Sequence, residues 1–122
     1  MNKMEFIKQL RDTAAEIKPL TEATSAGALV WDGTKYAKGE VKQADAYALS
    51  WWSILGTIAD LIEAQESPLS QRQLAYIERV LFGGMGSLND LYFDPKNLGA
   101  RARAINERLK QKRHALFAAF KG

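Results

Sequence analysis

"IADLIEAQESPLSQRQLAYIERVLFGG", residues 58–84, holds the end of one amphipathic helix, a short polar turn, a second helix and a double-glycine stop. Apolar residues recur at steps of three and four on both sides of the turn, the period of a helix and not of a strand. In the turn, Ser67 reads as an N-cap with Pro68 at the first helical position and Gln71 as its box partner. Ser70 is the alternative cap, which starts the helix three residues later. Leu74, Ile77, Val80 and Leu81 mark the buried face of this second helix, and Gly83 and Gly84 end it. A turn this short predicts that the two helices pack as an antiparallel pair.

The same period extends upstream over residues 42–66. Ala44, Tyr47, Ala48, Trp51, Leu55, Ile58 and Ile62 form one stripe, widened by Ile54 and Leu61. Gly56 inside this helix costs about 1 kcal/mol against Ala, so it is expected to let another helix cross closely. Residues 3–17 predict a first helix with Met4, Ile7, Leu10, Ala14 and Ile17 inward, ended by Pro19. Residues 97–120 predict a last one, with Leu98, Ala102, Ile105, Leu109, Leu116 and Phe120 on one side and Lys112 near it. Trp51, Trp52, Phe82 and Phe117 read as core. Between the first two helices, residues 20–41 lose the helical period. Asp32-Gly33 fits a two-residue type I′ turn there, giving either a small hairpin or a loop. The expectation is an all-α, single-domain bundle of four main helices over residues 1–122, with an irregular or hairpin-like insertion after the first helix.

At 122 residues the chain suits one domain with one core. It has no cysteine, so disulfides, thiolate metal sites and cysteine nucleophiles are excluded. The charged start and the lack of an apolar run of about 18 residues predict a soluble, cytoplasmic protein without signal peptide or membrane span. The net charge of +3 is unevenly spread. Residues 1–95 carry nine Lys and Arg against thirteen Asp and Glu, while residues 96–122 carry eight against one, Glu107.

"GGMGSLND", residues 83–90, invites comparison with a phosphate-binding loop. It follows a helix instead of a strand, and Asn89 and Asp90 stand where a cation is wanted. A corner built on positive-φ glycines fits better, with Ser87 capping a brief helix over "SLNDLYF". His114, the only histidine, lacks acidic neighbours and reads as a surface residue. Asp60 with Glu63, and Asp90 with Asp94, do not supply an oxygen-rich metal loop. No cofactor, metal or enzymatic activity is expected. Trp31, Asp32, Tyr36, Tyr92 and Asp94 combine aromatics and acids in the least regular segments, which suits partner-binding anchors. Trp31 folding back onto the bundle's end is the competing reading.

Residues 58–94, and above all "FGGMGSLNDL", resemble a family of short helical bacterial proteins of uncharacterised activity. Members of this kind are found among immunity proteins of interbacterial (polymorphic) toxin systems. The resemblance covers about a third of the chain and implies a helical domain that neutralises one cognate protein toxin by direct binding. The first 40 residues and the basic last helix lie outside it. The second reading is a nucleic-acid-binding module using Arg101, Arg103, Arg108, Lys110, Lys112 and Arg113, which run around the last helix without forming one stripe. Carboxylate-based enzyme chemistry comes third, since it needs a cleft. Monomer and homodimer are both open.

Overall fold

The computed structural model describes the backbone of residues 1–28, 30–31, 36–37, 48–84, 86–91 and 100–122, and the side chains of residues 1–20, 48–84, 86–91 and 102–122. Among these, four helices form an all-α bundle: α1 Lys3–Ala28, α2 Trp51–Ala64, α3 Gln71–Phe82 and α4 Ala100–Lys121. Between α1 and α2, β1 Val30–Trp31 pairs antiparallel with β2 Tyr36–Ala37.

Their directions follow from side-chain pairs. Lys3 Nζ donates to the Gln65 carbonyl beyond the end of α2, and Arg11 bridges Asp60 and Glu63. Further along, Lys18 lies 5.4 Å from the centre of the Trp52 ring. Numbers rise on α1 as they fall on α2, so the two are antiparallel. Phe6 meets Phe120 edge-on at 5.5 Å, and Glu16 pairs with Lys112 at 3.2 Å, so α4 also runs antiparallel to α1. Phe82 packs edge-on against Phe117 at 5.0 Å, and Glu78 meets Lys121, which sets α3 antiparallel to α4. The closest helix approaches are α1 with α2 and α1 with α4. The short turn therefore reverses the chain between α2 and α3, but the close partner of α2 is α1.

The core draws Phe6, Leu10 and Ile17 from α1, Trp51, Leu55, Ile58 and Ile62 from α2, Ile77, Leu81 and Phe82 from α3, and Ile105, Leu109, Leu116 and Phe120 from α4. The inward stripe of α1 thus starts at Phe6, not Met4, which is 83% exposed. Thr13 completes that stripe, its hydroxyl donating to the Gln9 carbonyl at 2.7 Å so that burial leaves no polar group unmet. Helix α1 also runs through Pro19. A proline removes one backbone hydrogen bond, while buried Ile17 and core-packed Leu20 hold the turn on either side.

The helix expected over 42–66 is described from Ala48. Ala48 and Leu49 are helical, Ser50 keeps helical dihedrals (φ −82°, ψ −13°), and α2 proper starts at Trp51. Gly56 is not a crossing point, because a Cβ built there meets nothing within 4 Å. Phe117 is not core, being 37% exposed at the bundle's edge, and Trp52 is half-buried, packing against the core from its rim.

Ser70, not Ser67, caps α3. Its hydroxyl accepts from the Gln73 N–H at 3.1 Å, and its own N–H donates to Gln73 Oε1 at 2.8 Å. A capping box needs Gln or Glu three residues after the cap. Ser70 has Gln73 there, whereas Ser67 has a serine. Gln73 also exchanges amide hydrogen bonds with Gln65, at 2.6 and 3.1 Å, closing the corner between α2 and α3.

The glycine corner is held by backbone conformation. Gly84 and Gly86 have φ of +114° and +83°. The Leu88 N–H donates to the Leu81 carbonyl at 2.9 Å and the Asn89 side-chain amide to the Phe82 carbonyl at 3.1 Å, so both satisfy carbonyls at the end of α3. Ser87 Oγ accepts from the N–H groups of Gly84 and Asn89. These amides bond within the corner instead of converging on an anion. The brief helix expected after Ser87 is one turn, closed by Asp90 and Leu91 N–H donation to the Ser87 carbonyl, and Leu91 leaves it at φ +42°.

Candidate functional site

Of the anchors expected from the sequence, Trp31 and Tyr36 face each other as register partners, with Val30 opposite Ala37. That register leaves four residues between Trp31 and Tyr36, two more than the type I′ turn expected at Asp32-Gly33. Asp32, Tyr92 and Asp94 lie outside the described residues, as does Leu98.

A surface the sequence reading passed over stands on α3. Because the capping box fixes where α3 starts, a period of 3.6 residues aligns Arg72, Ala75, Tyr76 and Arg79 at steps of three and four. All four are exposed, while Ile77 and Leu81 point into the core from the other side. Tyr76 is 51% exposed, with the Arg79 guanidinium 5.8 Å from its ring centre. Leu61 of α2, expected inward, is 49% exposed and shares a shallow recess of about 440 Å³ with Ser70, Arg72, Gln73 and Tyr76. Leu61 is uncovered because α1 and not α3 lies closely along α2. The one available signal was the exposed stripe itself, with a tyrosine on the arc opposite Ile77 and Leu81.

The charges around this face are already committed. Asp60 and Glu63 hold Arg11, whose guanidinium pKa is raised by hydrogen bonding to Glu63 first and then to Asp60. Glu78 faces Lys121 at 3.4 Å. Among the described residues, neither Arg72 nor Arg79 makes an ion pair.

The basic residues of α4 present a different picture. Lys112 pairs with Glu16, Lys110 lies 3.9 Å from Glu107, and Arg113 donates to the Asn89 carbonyl at 3.1 Å. Arg103 and Arg108 are exposed, and the Arg101 side chain lies outside the described residues. His114 is exposed, lining a polar recess of about 320 Å³ with Asn89, Arg113 and Phe117. Among the described residues, no three acidic or imidazole side chains cluster as metal ligands, and no helix is long and apolar enough to cross a membrane. No family model, curated protein or solved structure matches the chain.

Proposed function

We propose that this protein is a cytoplasmic immunity protein that neutralises a cognate interbacterial toxin by direct binding, without cofactor or reaction chemistry. The observation that carries the reading is the exposed Leu61–Arg72–Tyr76–Arg79 face. Tyr and Arg are the residue types that dominate binding energy at protein interfaces. Here they stand on a helix whose start is fixed by a complete capping box, so little ordering is needed on association. A blocker needs complementary shape and charge more than reactive groups. The "FGGMGSLNDL" resemblance supports the same reading, and Trp31, Asp32, Tyr36, Tyr92 and Asp94 are proposed as a second set of contacts.

The test is a tagged pull-down from the native bacterium at moderate salt, with mass spectrometry and co-expression of whatever elutes. One stoichiometric protein, toxic alone and harmless when co-expressed, is the expected result. Recovery of nucleic acid alone, lost steeply as salt rises, would replace this reading with phosphate binding by α4. Trp31→Ala is expected to weaken toxin binding while leaving the helical circular dichroism unchanged; unaltered affinity removes Trp31 as an anchor.

A further inference from the structure

The outward face of α3 carries two arginines, Arg72 and Arg79, that meet no carboxylate among the described residues; Arg79 lies over the Tyr76 ring instead. Asp60 and Glu63, the acids of α2, are turned to Arg11, and Glu78 is turned to Lys121. Glu66 lines the recess on the other side of the corner, together with Lys3. On α4, Lys110, Lys112 and Lys121 each have a carboxylate, while Arg103 and Arg108 make no ion pair among the described residues. The α3 face also has more apolar surface between its cations, Leu61 and the Tyr76 ring at about half exposed each, than α4 has at Phe117, which is 37% exposed.

We propose that this face docks an acidic amphipathic segment of the partner protein. One apolar side chain enters the recess between Leu61 and Tyr76, and carboxylates meet Arg72 and Arg79. The two arginines are seven residues apart, or about 10 Å along the helix axis, so the partner's acids stand at a similar spacing. Guanidinium groups favour carboxylates because their planar fork donates two parallel hydrogen bonds. The inference deepens the immunity reading and rests on it only in taking the partner to be a toxin.

Two amphipathic peptides of about 18 residues, long enough to form helix, serve as probes. They share one leucine stripe and differ in a Glu or a Lys polar face. Each is titrated into the ¹⁵N-labelled full chain while amide shifts are followed. The Glu peptide is expected to shift residues 72–79 and Leu61 saturably, and the Lys peptide to leave them in place. Arg72→Glu with Arg79→Glu should weaken the Glu peptide by about tenfold or more, as expected for losing paired anchors. Arg103→Glu with Arg108→Glu should change it by less than about twofold, as for remote charges. All these side chains are exposed, and circular dichroism confirms that each variant folds.

Shifts centred on α4, equal binding of both peptides, or no saturable shift on α3 would each overturn the proposal. So would concentration-dependent shifts of α3 without peptide, which would assign the face to a second copy. The two readings fail separately. A captured toxin still neutralised by the Arg72→Glu, Arg79→Glu variant keeps immunity and removes this surface. Selective Glu-peptide binding without any neutralised toxin does the reverse.

Discussion

Between Gln65 and Leu91 the chain turns two corners, and the two are built from different materials. The corner from α2 to α3 is made of side chains: the Ser70–Gln73 box, the reciprocal Gln65–Gln73 amides, and Lys3 on the carbonyls of Gln65 and Ser67. The corner after α3 also has side-chain bonds, from Ser87 and Asn89, but it depends in addition on backbone conformation, with positive φ at Gly84, Gly86 and Leu91. Side-chain bonds are redundant, so losing one leaves the others. A backbone angle has no substitute, and a residue that cannot adopt it displaces everything that follows.

The contrast is broken most severely at the glycines. Gly84→Val puts a β-branched residue at φ +114°, and a loss of about 2–3 kcal/mol is expected. Thermal denaturation should show it as a fall of about 10 °C in Tm. At Gly83 an added Cβ would run into the Arg79 carbonyl, so Gly83→Ala should also destabilise despite its ordinary φ of −90°. Ser70→Ala is expected to cost about 1 kcal/mol, the usual worth of an N-cap. Urea denaturation with an unchanged m-value would check this, and a loss as large as that at Gly84 would show that the side-chain corner is not redundant. Gly56→Ala sharpens the comparison from the other direction. With open space around its Cβ and a helical backbone, it should stabilise by up to about 1 kcal/mol. A loss there would mean a close approach.

The smallest effect belongs to Arg11→Gln, which removes an exposed bridge to Asp60 and Glu63. The decrease in Tm should be less than that for Ser70→Ala and should fade as salt is added. The raised guanidinium pKa sets the sign of its pH dependence. A group held more basic when folded contributes fully below its ordinary range, and that contribution is lost only as pH rises through the raised value. The difference between wild type and variant should therefore not move between about pH 7 and about pH 9.

What could be read beforehand depended on whether the determinant was local. The α3 cap was legible only as an alternative: Ser67 before Pro68 reads first as the cap, although Gln73, three residues after Ser70, sits at the one position a box requires. The positive-φ corner was legible because few residues besides glycine tolerate such angles. The α1 stripe was half legible. Steps of three and four through Leu10 and Ile17 fit either Ile7 and Ala14 or Phe6 and Thr13, and where α2 and α4 lie decides between them. Pro19 misled, since its local preference to stop a helix is overridden within a packed bundle. Leu61 and Tyr76 were not legible as a surface. An apolar residue beside a buried stripe looks like core until the neighbouring helix is known to lie elsewhere.

Helix α1 lies against both α2 and α4, yet those partners are far apart along the chain. The contacts of α1 with α2 and its end close loops of 49 residues for Arg11 to Asp60 and 62 for Lys3 to Gln65, whereas Phe6 reaches Phe120 near the other end. Closing a longer loop costs more entropy before any contact repays it. The order of assembly is thereby weighted: α1 with α2 forms early, and the Phe6–Phe120 contact, which closes almost the whole chain, forms last. Low φ-values at Phe6 and Phe120 beside higher ones at Leu55 and Ile62 would be its kinetic signature.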